Sequence, residues 1–287
     1  ITLEPCTFHG KTPACVQFLI ENSVSEVYIS MLDPNPKVNG MGVRLLENSG
    51  INVYTGILSE ETKWLNRGYV KIMKHGIPWV IAKAAQSANG YLGIDSSTQT
   101  FITGNESKKH SHNLRAYSDS ILVGRQTALI DDPQLNVREV PGVNPKRIIL
   151  DTNRKLPLTL NVFRDNLANT IVLCSNARFE RSRTSYCDYI SVDENEIGEL
   201  DLSSILKTLA KEGINSVLVE GGAKLLKSFY TSDLIDEIYL YTSPNKLKEA
   251  SLKNPIIISD EWDIMESNSL GEDSVLIAKR KVECLQE

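Results

Sequence analysis

The chain has 287 residues, of which 41% are hydrophobic and 23% charged, and its formal net charge is -5 at pH 7. This length predicts two domains or one large one, and the ordinary apolar fraction excludes a largely disordered protein. The acidic balance argues against nucleic acid as a partner, and no apolar run approaches the ~20 residues of a membrane-spanning helix. Five cysteines without a dense, even-numbered framework predict a reducing, cytoplasmic location.

Residues 1–75 alternate short helices with short strands. The predicted elements are helices at 13–22 and 42–49, strands at 26–31 and 51–57, and a polar helix-like segment at 60–73. Gly50 ends the second helix, as glycine often does just past a helix terminus. Such alternation is typical of a parallel or mixed sheet covered by helices, so we predict an α/β domain.

A domain boundary is predicted near the segment KHGIP at 74–78, where a polar segment gives way to a new apolar strand. We therefore divide the chain into domains at 1–75 and 76–287. The predicted elements of the second domain are strands at 79–85, 120–124, 147–150, 170–174, 216–219 and 237–242, and helices at 105–116, 202–212 and 223–231. A second α/β domain follows from this alternation.

Two thiols, Cys6 and Cys15, lie on either side of a loop in the segment LEPCTFHGKTPAC. Cys15 lies where a helix is predicted to begin, and a helix N-terminus lowers a thiol's pKa and favours the metal-binding thiolate. A catalytic zinc site takes three protein ligands, but His9 lies only three residues from Cys6 in the same loop, which argues against it as the third. From the residues alone, a zinc pair and two buried cysteines packing as small hydrophobic groups both stay open.

This loop, followed by MLDPNPKVNGMG at 31–42, resembles the zinc deaminase half of the bifunctional riboflavin-biosynthesis deaminase/reductase family. The resemblance implies the C-terminal part of a cytidine-deaminase-like α/β domain, with Cys6 and Cys15 as zinc ligands. The family's His-Ala-Glu segment, which carries the third zinc ligand and the general acid/base, is missing before Cys6. We therefore expect an N-terminally truncated chain that cannot deaminate, with the third ligand outside this chain.

A strand at 216–219 runs into Glu220-Gly221-Gly222 and then into a helix. Glycine lets the backbone approach a ligand closely, and the start of the following helix offers free N–H groups to a phosphate. The segment lacks the Gly-x-Gly-x-x-Gly fingerprint, so a Rossmann domain is not predicted. By itself it fits a tight turn with a solvated glutamate equally well.

Two further segments, KAAQSANG at 83–90 and RAYSDSILVGRQTALIDDPQLNVR at 115–138, accompany FITG at 101–104. Together they resemble the reductase half of the same family. The resemblance implies a dihydrofolate-reductase-like α/β domain that uses NADPH. Its implied reaction reduces the ribosyl group of 5-amino-6-(5-phosphoribosylamino)uracil to ribityl, while the parent protein deaminates the preceding diaminopyrimidinone phosphate with zinc.

The resemblance also assigns roles to individual residues of the second domain. The implied catalytic residues are Lys83 and Asp132, at the sugar carbon that receives hydride. The implied substrate-binding residues are Gln99, Arg115, Leu135, Arg138 and Glu220, with the two arginines on the phosphate. The implied cofactor-binding residues are Ala85, Phe101, Thr103, Thr127, Asp131, Thr152, Gly222, Ala223 and Lys224. The partners implied are a small phosphorylated pyrimidine and further copies of the chain in a homo-oligomer.

Two alternatives remain open at this point. One is a stand-alone reductase with a degenerate deaminase domain, and the other is a non-catalytic nucleotide-binding module. Asn89 and Gln99 keep the second alternative open, because the family usually has Asp and Ser at these positions. His110 and His112 lie in a polar helix, and we interpret them as solvated side chains rather than metal ligands.

Overall fold

The computed structural model describes residues 1–10, 13–94, 101–179 and 187–281. The chain divides into two compact units, Ile1–Ile77 and Pro78–Glu287.

The first unit is a small α/β unit around one parallel strand pair. Its elements are α1 (Cys15–Glu21), β1 (Glu26–Ile29), α2 (Met41–Asn48), β2 (Asn52–Thr55), α3 (Ser59–Leu65) and α4 (Arg67–His75). Strands β1 and β2 pair in parallel, and the core between them and the helices consists of Val16, Val27, Ile29, Leu46 and Ile51. The segment predicted as one helix at 60–73 is two helices, since the Asn66 side chain donates to the Thr62 carbonyl and ends α3.

A buried glutamate fastens the segment before Cys6 to the start of α2. The Glu4 carboxylate accepts backbone hydrogen bonds of 2.9–3.3 Å from four N–H groups, those of Asp33, Gly40, Gly42 and Val43. The segment that carries Glu4 and Pro5 lies so close to α2 that no side chain fits at Gly42. A Cβ there would lie 2.3 Å from the Pro5 carbonyl oxygen. An anion at a helix N-terminus also compensates the free N–H groups there.

The second unit contains the remaining elements. Its strands are β3 (Trp79–Gln86), β4 (Tyr91–Gly93), β5 (Ser120–Gly124), β6 (Lys146–Leu150), β7 (Thr170–Ser175), β8 (Asp188–Val192), β9 (Ser216–Val219), β10 (Glu237–Thr242), β11 (Leu252–Lys253), β12 (Trp262–Leu270) and β13 (Asp273–Arg280). Its helices are α5 (Asn105–Ala116), α6 (Arg125–Asp131), α7 (Asn161–Arg164), α8 (Leu202–Lys211) and α9 (Ala223–Thr231).

A nine-stranded sheet in the order β12-β13-β10-β3-β9-β5-β6-β7-β8 forms the centre of this unit. The strands from β10 to β8 in that order pair in parallel, while β12 and β13 join antiparallel at one edge. Central strands such as β5 (SILVG) and β7 (TIVLCS) are buried on both faces, which explains their continuous apolar sequences. The predicted α/β class is confirmed.

The parallel strands place their carboxyl ends at one edge of the sheet, where ligands bind in open α/β folds. Lys83 and Ala85 lie near the end of β3, Glu220 follows β9, and Thr152 follows β6. No strand was predicted at β8 (Asp188–Val192), because its sequence DYISV has few apolar residues. In the described part of the chain, no helix combines the length and the apolar character needed to cross a bilayer.

Candidate functional site

A cavity of about 830 Å³ opens at the carboxyl ends of β3, β5, β6 and β9. This volume suits a small-molecule or cofactor site. The residues singled out from the sequence that line it are Lys83, Ala85, Arg115, Thr127, Asp131, Thr152, Glu220, Gly222, Ala223 and Lys224. They come from segments far apart in the chain, and the parallel sheet brings them together.

One wall of the cavity carries a buried ion pair. Arg115, near the end of α5, donates from Nε to Glu220 Oε1 and from Nη2 to Glu220 Oε2, both at 2.8 Å. Its Nη1 donates to the Asn136 carbonyl at 3.2 Å. The fork of the guanidinium is therefore engaged with Glu220, and only its remaining N–H groups can reach a ligand.

The ion pair sets the charge state around Lys83. Burial would raise the pKa of Glu220, but the charge and hydrogen bonds of Arg115, with the charge of Lys83, lower it to about 2. Burial lowers the pKa of Lys83, with Arg115 adding to this effect and Glu220 opposing it. Glu220 is thus an anion at neutral pH, and Lys83 releases a proton more readily than an ordinary lysine.

The start of α9 also lines the cavity. Its N-cap is Gly222, whose N–H donates to Thr127 Oγ1 at 3.2 Å. A Cβ on Gly221 would lie 2.5 Å from Leu225 Cδ2 and 2.9 Å from Leu225 Cβ, so glycine at 221 permits the close packing of this helix. The exposed Lys224 pairs with Glu199 at 2.5 Å. Free N–H groups and a lysine at a helix start form a suitable environment for phosphate.

The two neighbouring aspartates have different surroundings. Asp131 lines the cavity, and burial raises the pKa of its carboxyl group. Asp132 has a left-handed backbone (φ 36°), and its carboxylate accepts hydrogen bonds from the backbone and side chain of Asn161 at 2.7 and 3.0 Å. Asp132, which was predicted to act beside Lys83, thus contacts Asn161 instead. It is not among the residues that line the cavity.

Several other predicted residues also lie away from this cavity. Leu135 is 3% exposed and belongs to a core cluster, while the exposed Arg138 donates to Asn136 Oδ1 at 2.9 Å. Phe101 and Thr103 line a second cavity, of about 400 Å³, at the start of α5. Gln99 lies outside the residues that the structure describes.

The interpretation of His112 as solvated is wrong, and His110 is only partly solvated. His112 is 1% exposed, and its Nδ1 accepts the backbone N–H of Arg138 at 3.2 Å. Its burial, together with the charges of Arg115 and Arg138, lowers its pKa to about 4. His110 is half-buried against Tyr241. The polar sequence of α5 gave no indication of this burial, because the buried face of α5 itself includes polar residues.

Comparisons with known proteins identify the family. The family model described as the RibD C-terminal domain matches residues 78–273, which is most of the second unit. The chain belongs to the RibD family. The riboflavin biosynthesis protein RibD of Aquifex aeolicus is 35% identical over 98% of this chain and 80% of its own length. That of Bacillus amyloliquefaciens is 35% identical over 85% of this chain and 66% of its own length.

Solved RibD structures match this chain along almost its whole length. RibD from Acinetobacter baumannii has a TM-score of 0.85 at 31% identity, covering 98% of this chain and 80% of that one. A deaminase/5-amino-6-(5-phosphoribosylamino)uracil reductase from Thermotoga maritima has a TM-score of 0.82 at 28% identity, covering 97% and 78%. The resemblance stated from the sequence is confirmed: this is a riboflavin-biosynthesis enzyme with a reductase domain.

The two RibD-type thiols lie together at the start of α1. The Cys15 N–H points to Cys6 Sγ at 3.4 Å, and a hydrogen bond with Cys6 raises the pKa of the Cys15 thiol. Among the described residues, no cluster of three or more His, Cys, Asp or Glu side chains is placed to hold a metal ion. Two thiols do not complete a catalytic zinc site, so the donors present here do not fit zinc by themselves.

Asn89, one of the departures from the family pattern, has a structural role. Its Oδ1 accepts the Leu247 N–H at 3.0 Å, and its Nδ2 donates to the Leu247 carbonyl at 3.1 Å. Oδ1 also accepts the Ser87 hydroxyl at 2.8 Å. The amide thus ties the turn after β3 to the segment after β10, and a carboxylate would lack the donor for the Leu247 carbonyl.

Proposed function

We propose that the second unit is the NADPH-dependent reductase that converts the ribosyl group of 5-amino-6-(5-phosphoribosylamino)uracil to a ribityl chain. One observation carries the proposal: Lys83, the Arg115–Glu220 pair and the glycine-rich start of α9 line a single cavity. The Thermotoga maritima relative, whose name includes this reductase activity, supports the choice of substrate.

The cavity residues fit a dinucleotide. Gly222 leaves the start of α9 open, and Ala223 and Lys224 contribute the N–H groups and the charge that would hold a phosphate. The further residues proposed along the cofactor are Ala85, Thr127, Asp131 and Thr152 in this cavity, and Phe101 and Thr103 in the second one. NADPH, when bound, supplies the hydride that reduces C1 of the ribosyl group.

In this proposal Lys83 supplies the proton that the reduction requires. As C1 gains hydride, its bond to the ring oxygen breaks and that oxygen takes a proton. A lysine with a lowered pKa is a suitable donor, and the charge of the neighbouring Glu220 carboxylate favours its protonated form. The negative charge of Glu220 also lies where positive charge develops on the sugar.

The substrate phosphate is proposed to bind at the arginines. Arg138 is exposed and next to Asn136, so its guanidinium can turn to a phosphate. The fork of Arg115 is engaged with Glu220, which limits Arg115 to its remaining N–H groups and its charge. His112 and Arg115 both hold the segment 136–138, so α5 positions the proposed phosphate anchor.

Deamination is assigned no step in this proposal, because the described residues do not complete a zinc site. Cys6 and Cys15 would supply two of the ligands that zinc needs. The homo-oligomer and the cytoplasmic location also stay proposals drawn from the resemblance.

The test is NADPH oxidation, followed by absorbance, with the phosphoribosylaminouracil as substrate. We expect turnover in the wild type and a loss of at least about a hundredfold in kcat for Lys83→Ala, with NADPH binding retained. Lys146→Ala is the matched control, because that lysine lies at the start of β6 and contacts the Glu212 carbonyl instead.

The same experiment separates the alternatives. A non-catalytic nucleotide-binding module would show an NADPH-induced thermal shift without turnover, and a protein without this site would show neither. Isothermal titration with NADPH and then NADH tests the choice of cofactor, because the proposal expects tighter binding of NADPH.

A further inference from the structure

A tyrosine on β10 lies near Lys83, on the same face of the sheet. In the parallel pairing of β3 and β10, Tyr239 lies opposite Lys83 and Tyr241 lies opposite Ala85. Tyr241 is therefore the diagonal neighbour of Lys83, at a distance that long and aromatic side chains bridge. The Lys83 Nζ lies 5.6 Å from the centre of the Tyr241 ring.

Tyr241 is held from its other end by α5. Its side chain is fully buried, and its hydroxyl shares a hydrogen bond of 2.8 Å with His110 Nδ1. The two rings also meet edge to face, with centroids 5.7 Å apart. Val275 and Ile277 of β13 pack in the same cluster, so the ring has little freedom to turn.

We propose that Tyr241, held by His110, is a positioning residue for Lys83 in the reduction. The inference rests on the proposed function and adds a residue pair to it. The face of an aromatic ring attracts an ammonium group, more strongly where water is excluded. Tyr241 thereby keeps the amine of Lys83 at the cavity and favours its protonated form, which the proton-donating step requires.

Among the described residues, the titratable groups that face the pair include Tyr239, which lies opposite Lys83 and has its ring centroid 6.2 Å from that of His110. Glu220 from the end of β9 favours the charged form of Lys83, and Arg115 of α5 opposes it. Burial lowers the pKa of His110, with Glu266 of β12 opposing. Burial also raises the pKa of Tyr241, so the phenol stays protonated and available to His110.

The test follows the ionisation of Lys83 directly. In protein labelled with ¹³C at lysine Cε, the Lys83 signal is assigned by its loss in Lys83→Arg and titrated with pH. We expect Tyr241→Leu to lower the Lys83 pKa by about half a unit or more, because the ring that stabilises the ammonium is gone. An unchanged Lys83 pKa in a folded Tyr241→Leu protein would overturn the proposal.

The hydrogen bond is tested by a double-mutant cycle. Tyr241→Phe keeps the ring and removes the hydroxyl, while His110→Leu removes the hydrogen-bond partner. Each is expected to lower kcat about three- to tenfold with little change in KM, and the double variant should be no worse than either single variant. Additive losses, or losses confined to KM, would contradict the assignment.

Two further measurements keep the interpretation specific. Tyr230→Phe is the matched control, because Tyr230 lies on α9 and its hydroxyl donates to the Ile257 carbonyl at 2.7 Å. The kcat and the pH profile of this variant should match those of the wild type. If the wild type binds NADPH but reduces nothing, the proposed function fails. The shift of the Lys83 pKa in Tyr241→Leu would then still show whether Tyr241 holds the amine.

Discussion

The Glu220 carboxylate receives both of its short hydrogen bonds from Arg115, a residue 105 positions earlier in the chain. The side chains are 13% and 8% exposed, so each charge depends on the other for the solvation that water would provide. The pair forms one wall of the cavity beside Lys83. Its role is thus both structural and electrostatic.

Arg115→Met is expected to lower the free energy of unfolding by about 3–5 kcal/mol, because it leaves the Glu220 carboxylate buried without its partner. Urea denaturation measures the loss. The double variant Arg115→Met/Glu220→Gln should recover part of the stability, and a single variant as stable as the wild type would contradict the prediction.

Arg147→Met is the matched control for that change. Arg147 is fully buried and donates to both carboxylate oxygens of Asp165 at 2.7 and 2.6 Å, outside the cavity lining. It should lose stability to a similar degree, while the folded fraction keeps the wild-type affinity for NADPH. Arg115→Met should lose substrate turnover as well.

The buried His112 predicts an acid-sensitive range of stability. Its pKa is about 4 in the folded chain against an ordinary 6.5, so the unfolded chain binds the proton more readily. The contribution of neutral His112 to the free energy of unfolding is fully present above pH 6.5. The free energy of unfolding then falls by about 2 kcal/mol as the pH drops towards 4. Half-buried His110, whose pKa burial also lowers, adds a loss in the same direction.

Urea denaturation at a series of pH values tests this assignment. His112→Asn should flatten the profile between pH 6.5 and 4, whereas His75→Gln, a change at an exposed site on α4, should not. Glu220 is separable, because its pKa of about 2 against 4.5 places its loss between pH 4.5 and 2. A wild-type profile that stays level from pH 6.5 to 4 would refute the role of His112.

The two glycines before α9 should respond differently to alanine. Gly221→Ala brings a methyl group against Leu225, including its Cβ, so the helix must shift at a cost of about 1–3 kcal/mol. Gly222→Ala meets only Thr127 Oγ1, at 3.6 Å, and should change stability by less than about 1 kcal/mol. Thermal denaturation with and without NADPH measures both, and equal losses would contradict the packing argument.

Restoring the usual family residue at Asn89 should destabilise this chain. Asn89→Asp removes the donor to the Leu247 carbonyl and places a charge beside it, with an expected loss of about 1 kcal/mol. Asn39→Asp, at an exposed site in the first unit, is the control and should be close to neutral. An Asn89→Asp protein that is as stable as the wild type and more active would contradict this prediction. It would indicate that a carboxylate at position 89 serves the reaction better.

Much of the architecture is determined by the sequence alone. Buried parallel strands such as β5 and β9 are continuous apolar runs in the sequence, and the glycines at 221–222 follow the end of β9. The positions of Lys83 and Glu220 at strand ends followed directly, because parallel strands share their carboxyl edge. The family resemblance added the reductase domain, which the comparisons confirmed.

Only the tertiary structure decided which partners these residues have. The neighbours Asp131 and Asp132 look alike in sequence, yet a left-handed backbone at Asp132 sends its carboxylate to Asn161. The polar helix α5 gave no sign that His112 is buried or that His110 meets Tyr241, 131 residues away. Periodicity reports local conformation and average burial, whereas hydrogen bonds between distant segments depend on how the sheet is assembled.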